Sequence, residues 1–278
     1  MADKTWIGGS TAGANSANVA ANWSPSGVPT GSDNIFFTHL STSSLLHDLT
    51  TLSTVNGELH IRNSYTKFIG SSTGPNYFEM KPSVAYLDCV QPTFVDVKAS
   101  TGVLNISNTG SGTFSSAGLN LKGSAIGRIN LTDGHVAIAL GPGETSTVAE
   151  IEMLSRGKLL LGSGVTWTHA SMYGGTLTAT AGTTNSVVNM YGGTFSGSKD
   201  AKLKALNVFD GTAFWGGNHG IRDVTIEGGA VTTVFSGQAR TVTNLRIHSG
   251  TFIYDPHVLP ITNFLHTDKP VQFTVSEQ

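Results

Sequence analysis

The chain has 278 residues, of which 38% are hydrophobic and only 12% are charged, and 34 of them are glycine. This composition is too apolar for a disordered chain and too poor in charge for a helical bundle. A formal net charge of −2 argues against a nucleic-acid partner, and no apolar run has the length of a membrane span. We therefore expect a β-rich protein with many tight corners, with neither nucleic acid nor a membrane as a partner.

The N-terminal segment, residues 1–44, differs in composition from the rest of the chain. It contains Trp6-Ile-Gly-Gly9, Asn22-Trp23-Ser24, Gly27-Val-Pro29 and Asp33 ahead of an apolar run. Prolines and turn-forming residues surround Trp23, which is suited to cover the open end of a β-structure whose strand edges would otherwise be exposed. We predict a cap or arm here, with contacts made by Trp6, Trp23, Phe36 and Phe37.

The stretch from Trp6 to Phe37 resembles the opening of many bacterial and phage β-solenoid proteins, including autotransporter-like passenger repeats. In those proteins a Trp-Gly start, an Asn-Trp-Ser, a Gly-x-Pro and an Asp before an apolar strand recur together. The resemblance implies a β-solenoid fold. Among such proteins we favour the phage capsid decoration, or cement, type.

Residues 45–125 carry a repeat that longer segments interrupt. Leucines precede and follow Gly57, and apolar residues flank Gly102 with similar spacing. Residues 62–92, which are rich in proline and aromatic residues, fit this spacing poorly. We predict coils that bear loops here, and such loops are where solenoid proteins usually carry recognition sites.

Residues 126–254 repeat a short phrase at nearly regular intervals. The phrase is clearest as Met172-Tyr-Gly-Gly-Thr-Leu177. Its second glycine recurs as Gly175, Gly193, Gly211, Gly229 and Gly250, in steps of 18, 18, 18 and 21 residues. Apolar residues lie five and three places before each glycine and two places after it, and also eight places before each of them except Gly193. This alternation predicts short strands separated by glycine turns, as in the coils of a β-solenoid.

Equivalent positions of stacked coils form columns, of which two are predicted to face the core. The column three places before the glycine reads Leu131, Leu154, Met172, Met190, Val208, Ile226 and Ile247, and the column two places after it reads Val136, Leu159, Leu177, Phe195, Ala213, Val231 and Phe252. Burial of each such side chain stabilises the fold by roughly 1.5–3 kcal/mol. Together these columns form the predicted core.

The column two places before the glycine is predicted to face outward. It reads Thr132, Ser155, Tyr173, Tyr191, Phe209, Glu227 and His248. Its aromatic members Tyr173, Tyr191 and Phe209, with Trp215 nearby, form the candidate contact surface, and we favour protein over sugar as the ligand. The alternative is an aromatic ladder that only stabilises the stack.

The repeat stops after Tyr254, and residues 255–278 contain apolar runs around Phe264 and Phe273. We predict a C-terminal cap or arm in which these phenylalanines contact the last coil or a neighbouring subunit. The whole pattern predicts an all-β, single-stranded β-solenoid of about nine or ten coils, between an N-terminal and a C-terminal cap or arm. The lack of a six-residue sub-period across 172–231 favours a right-handed parallel β-helix.

Motifs for catalysis or for cofactor binding are not apparent. The acidic residues of the repeat are Asp133, Asp210, Asp223 and Glu227, and their columns do not indicate a catalytic carboxylate pair. The nine histidines show no metal-ligand spacing. The lone Cys89 is better explained as a packed core residue than as a nucleophile. We therefore predict no catalytic residue, no metal and no cofactor.

Three functional hypotheses remain. The first is a non-enzymatic structural protein of a virion, either a capsid decoration protein or a fibre or tail component. A decoration protein would bind the major capsid protein and itself, as a trimer at three-fold or quasi-three-fold positions. The N-terminus lacks the features of a signal peptide, which suits a virion protein released by lysis. The second is a carbohydrate-binding or carbohydrate-cleaving solenoid that acts on a host-surface glycan. The third is a bacterial surface passenger.

Overall fold

The computed structural model describes residues 1–71, 76–98, 102–107, 118–180, 182, 185–198, 200–233, 241–254, 260–266 and 272–275. The fold is an all-β solenoid, as the sequence predicts. Helical structure within these ranges is confined to one 3-10 turn, Ala20–Asn22.

Strands cover most of the described chain. In order they are β1 Asp3–Trp6, β2 Trp23–Ser24, β3 Asn34–Phe37, β4 Leu59–Ile61, β5 Phe78–Met80, β6 Val84–Leu87, β7 Thr93–Val97, β8 Val103–Ile106, β9 Leu119–Leu131, β10 His135–Ile138, β11 Ser146–Met153, β12 Lys158–Leu161, β13 Val165–Met172, β14 Thr176–Ala179, β15 Val187–Gly197, β16 Leu203–Trp215, β17 Ile221–Ile226, β18 Ala230–Thr233, β19 Val242–Ile247, β20 Thr251–Tyr254, β21 Ile261–His266 and β22 Gln272–Val275.

The first of two long parallel ladders runs the length of the solenoid. It passes from β1 through β3, β4, β6, β8, β9, β11, β13, β15, β16, β17 and β19 to β21. One column of side chains in register points inward throughout: Ile35, Leu59, Ala85, Leu104, Ile129, Ile151, Ala170, Val188, Leu206, Val224 and Leu245. All of them are buried, so the core is continuous from the first coils to the last.

From β10 to β20, the second ladder consists of the strand segments that come directly after the glycine turns. It joins β5, β7, β9 and β10 to β12, β14, β15, β16, β18, β20 and β22. The inward column predicted from Val136 to Phe252 is confirmed, since its members are in register and buried. From β9–β10 to β21–β22 the two ladders run side by side through about eight turns.

The glycine turns stack backbone directly on backbone. Gly193, Gly211 and Gly229 have φ of 82°, 94° and 70°. A Cβ on Gly211 would lie 2.5 Å from the carbonyl oxygen of Gly193, and one on Gly229 would lie 2.5 Å from that of Gly211. These positions therefore require glycine both for its left-handed conformation and for the space between coils.

At the Gly157 turn, one residue of a predicted inward column is wrong. Met153, not Leu154, lies in register with Leu131 and Met172, although Lys158 after the turn remains in register with Thr176. The turn is thus one residue longer than the turn at Gly175. Because side chains alternate along a strand, this extra residue moves Leu154 out of the core, where it is 45% exposed.

The part predicted to bear irregular coils also joins the ladders. Within residues 62–92, strand β6 pairs with both β4 and β8, and β5 pairs with β7. Cys89 is buried, and its burial raises the pKa of the thiol to about 12. The thiol is therefore protonated at neutral pH, as expected of a packed core residue.

The C-terminal segment adds to the solenoid. Strand β21 pairs in parallel with β19, and β22 pairs with β20. These two strands therefore continue the ladders as a further coil and do not project as an arm. The remaining residues of the predicted cap, 255–259, 267–271 and 276–278, lie outside the described ranges.

Candidate functional site

The outward aromatic column is present on the surface, extended by one residue. Leu154, Tyr173, Tyr191 and Phe209 form what we call the apolar ladder, and they are 45%, 51%, 45% and 41% exposed. Each directly follows the last inward residue of its strand segment, Met153, Met172, Met190 and Val208 respectively. Leu154 occupies the position predicted for Ser155, because the Gly157 turn is longer.

The aromatic rings of the apolar ladder stack nearly parallel. The ring centroids of Tyr173 and Tyr191 are 5.1 Å apart at an interplanar angle of 11°, and those of Tyr191 and Phe209 are 4.8 Å apart at 3°. This spacing matches the distance between neighbouring strands. The ring faces therefore cover one another, and mainly the ring edges point to solvent.

Polar residues bound the apolar ladder at both ends. Thr132 is exposed on the coil before Leu154. After Phe209 come Glu227 and His248, whose Oε1 and Nε2 atoms are 3.5 Å apart. The apolar strip is therefore confined to four consecutive coils.

The prediction that Trp215 lies near this surface is wrong. Trp215 closes β16 and is only 1% exposed. Its position is set by register, since it pairs with Gly197 and Thr233 in the second ladder. A Cβ on Gly197 would lie 2.5 Å from the indole ring, so the absence of a side chain at that position leaves space for Trp215 in the core.

The N-terminal residues predicted as cap or arm contacts form an internal cap. Trp6, Trp23 and Phe37 are all buried, and the two indole rings meet edge to face with centroids 5.1 Å apart. The indole Nε1 of Trp6 donates to the Ser43 carbonyl at 3.0 Å, and that of Trp23 donates to the Ala17 carbonyl at 2.9 Å. These three side chains therefore close the core and are not available to a partner.

Phe36 belongs to a second surface feature, which we call the N-terminal ring stack. Its ring lies on the His60 imidazole, with centroids 4.5 Å apart, and His60 in turn lies on Tyr86, with centroids 4.9 Å apart. Phe36, His60 and Tyr86 occupy the same register position of β3, β4 and β6. The sequence alone did not indicate this stack, because the intervals between these strands are irregular.

The C-terminal phenylalanines lie at the end of the ladders. Phe264 is in register with the buried Leu245 but is itself 46% exposed. The backbone of Phe273 pairs with Phe252, whereas its side chain lies outside the described part of the chain.

The acidic residues singled out in the repeat have separate partners. Asp210 accepts a hydrogen bond from the Gly211 N–H at 2.7 Å, whereas Glu227 faces His248. Asp133 lies 3.4 Å from Arg156. Burial alone would raise the pKa of Asp223, but hydrogen bonds from Asn244 and Arg222 outweigh it and lower that pKa.

A charged network on β5, β7 and β9 was not predicted. Lys98 Nζ lies 2.8 Å from Asp96 and 3.0 Å from Glu79, and Lys122 Nζ lies 3.6 Å from Asp96 and 4.3 Å from the centre of the Tyr77 ring. The hydrogen bond with Asp96 raises the pKa of Lys98. Glu79, Asp96 and Lys122 meet only through strand register, so linear spacing could not reveal them.

Within the described ranges, no group of three or more His, Cys, Asp or Glu side chains is placed to hold a metal ion. Within those same ranges, no helix has the length and hydropathy to cross a membrane. Comparison of the chain with protein-family models, curated proteins and solved structures found no match.

Proposed function

We propose that this protein is a non-enzymatic structural component of a virion, a capsid decoration or cement protein with a right-handed β-helix of about nine or ten coils. The observation that carries the proposal is the apolar ladder on the outside of a rigid solenoid. The proposed partners are the major capsid protein and further copies of this chain.

The apolar ladder suits a protein partner because it is already ordered before binding. Its rings are fixed by stacking, so little side-chain freedom is lost when a partner covers them. Four coils at the usual strand spacing give a strip about 15 Å long. Such a strip fits the apolar centre of a protein interface, with polar residues at its rim.

The solenoid supports this role mechanically. Each coil shares its core with the coils on both sides, so the apolar ladder is held on a continuous support. On an icosahedral capsid we expect trimers at three-fold or quasi-three-fold positions, because symmetric sites recruit symmetric oligomers.

The carbohydrate alternative is weaker at the apolar ladder. Sugars stack on the faces of aromatic rings, and here the faces of Tyr191 are covered by Tyr173 and Phe209. The candidate contact surface predicted from the sequence also included Trp215, which is buried and cannot stack on a sugar.

The test begins with peptide mass spectrometry on density-purified particles, in which this chain is quantified against the major capsid protein. We expect hundreds of copies per particle, the scale of an icosahedral lattice. A few copies would point to a tail or fibre part, and absence would overturn the virion proposal.

Binding of the recombinant protein to undecorated capsids then tests the apolar ladder. The triple variant Tyr173→Ser, Tyr191→Ser and Phe209→Ser should lose binding, since it removes the central rings. Phe68→Ser is the matched control, because Phe68 is also exposed, at 47%, but lies outside the ladder. Equal binding by both variants would exclude the apolar ladder as the contact surface.

A further inference from the structure

A cavity of about 280 Å³ lies where the N-terminal ring stack ends. Its lining includes Arg62, Tyr86, Asp88, Asn105, Asn130 and Thr132. We propose that this cavity binds one pyranose ring of an uncharged saccharide. Leu154 of the apolar ladder also lines the cavity, whereas Tyr173, Tyr191 and Phe209 do not, and the inference does not depend on capsid binding.

The ring position beside Tyr86 is open. The Tyr86 ring stacks on His60 on one side, with centroids 4.9 Å apart, and is 42% exposed. On the next coil the register position is taken by Asn105, which is smaller than a ring. The ring stack therefore ends at Tyr86, and both Tyr86 and Asn105 line the cavity. A pyranose placed there would present its apolar C–H face to Tyr86.

Two residues that line the cavity carry acceptor atoms without donors. Asp88 Oδ1 and Asn130 Oδ1 are buried, and neither has a hydrogen-bond partner among the described residues. Both residues line the cavity. Buried acceptors without donors are costly, and sugar hydroxyl groups are donors of the right kind. The hydroxyl groups of Ser107 and Thr132, which also line the cavity, add further hydrogen-bonding capacity.

The amides at the base of the cavity are held in place. Asn130 Nδ2 donates to Asn105 Oδ1 at 3.0 Å across neighbouring coils, which fixes the orientation of both side chains. A site for a saccharide requires such fixed polar groups beside an aromatic face.

The charges of the cavity favour an uncharged ligand. Arg62 and Asp88 are its only charged lining residues within the described chain, and their charges offset one another. Burial raises the pKa of Asp88, while Arg62 opposes that effect. The Asp88 carboxylate would repel a phosphate or carboxylate ligand, whereas it would not repel a neutral sugar, whose hydroxyl groups are hydrogen-bond donors.

The experiment is saturation-transfer difference NMR on the full chain with a panel of glucose, galactose, mannose and N-acetylglucosamine. We expect saturation transfer to at least one sugar of the panel. Tyr86→Ala should weaken that binding about tenfold through loss of the stacking face, and Tyr86→Phe should retain it. Ser107→Trp, an exposed position on the cavity wall, should block binding without altering Tyr86.

Tyr191→Ala is the matched control, because it removes an exposed tyrosine from the apolar ladder and leaves the cavity intact. Circular dichroism confirms that each variant is folded. The proposal is overturned if no sugar of the panel binds, if Tyr86→Ala and Ser107→Trp both bind like the unmodified chain, or if Tyr191→Ala loses binding equally. Failure of this test leaves the count of copies per virion unaffected, so the two proposals are judged separately.

Discussion

At the scale of single residues, the glycine column limits what the repeat tolerates. Two physical effects coincide at Gly211: a left-handed backbone with φ of 94°, and the carbonyl oxygen of Gly193 only 2.5 Å from where a Cβ would be. At Gly143 only the first effect is present, since its φ is 76° but nothing lies within 4 Å of an added Cβ. Substitutions at these two glycines therefore distinguish the cost of backbone strain from the cost of close packing between coils.

We expect Gly211→Ala to reduce the free energy of unfolding by about 3 kcal/mol, the sum of left-handed strain and overpacking. Gly143→Ala should cost about 1 kcal/mol, from strain alone. Denaturant titrations followed by circular dichroism measure both. Equal losses would show that the close approach between coils contributes nothing.

Asp33 makes the stability of the N-terminal cap depend on pH. Its carboxylate accepts N–H groups from Ala2, at 2.8 Å, and from Thr30, at 3.1 Å. Burial would raise the pKa of Asp33, but these two hydrogen bonds outweigh it and lower the pKa below the usual value of 3.8. The stabilisation is therefore complete above pH 3.8 and is lost as the pH falls through the folded-state pKa.

We expect Asp33→Asn to lower stability by about 1 kcal/mol at pH 7, a small value because solvent screens this carboxylate. The difference between the two proteins should shrink in acid, since the unmodified side chain then becomes neutral as well. Thermal unfolding at neutral pH and at about pH 2 compares them. A difference that stayed constant with pH would contradict a role for the charge.

At the scale of elements, a regular interval was enough to predict the inward columns. From Met172 to Phe252 the glycines recur almost evenly, so the apolar positions could be aligned from the sequence alone. The alignment of inward positions failed where a turn changed length. Because the turn before Gly157 has one additional residue, Met153 and not the predicted Leu154 lies in the core. Because side chains alternate between the two faces of a strand, a shift of one residue moves each side chain to the opposite face.

Features that depend on pairing between distant strands were beyond sequence reasoning. The N-terminal ring stack joins Phe36, His60 and Tyr86, which lie at unequal intervals along the chain. The cavity beside Tyr86 is lined by Asn105, which follows Tyr86 only in strand register. The aromatic members of the apolar ladder, by contrast, share one interval and were predicted correctly as an exposed stack. Trp215, which was predicted to lie near them, belongs to the core.

At the scale of the whole molecule, each coil is stabilised by the interfaces that it shares with the neighbouring coils. Most buried apolar side chains of the described chain belong to one cluster, and equivalent inward residues of neighbouring coils pair in register. The free energy of such a fold is close to a sum of coil and interface terms. A local defect should therefore weaken the coils next to it before it affects distant ones.

We expect a charge at Phe195 to show this directly. Phe195 is fully buried between Leu177 and Ala213, so Phe195→Asp places an unpaired carboxylate in the core at a cost of several kcal/mol. Amide hydrogen exchange should accelerate most in β14 and in the end of β16, which flank Phe195. The strands β1 to β4 should keep most of their protection.

Ser196→Asp is the control for that measurement, because Ser196 is the next residue of the same strand and is only partly buried, between Thr178 and Phe214. It should leave exchange nearly unchanged, since its side chain points away from the core. If both variants accelerated exchange equally, the inward assignment of Phe195 would be wrong. If Phe195→Asp accelerated exchange uniformly from β1 to β22, the chain would unfold as one unit. That result would contradict the expectation that a defect weakens mainly the coils next to it.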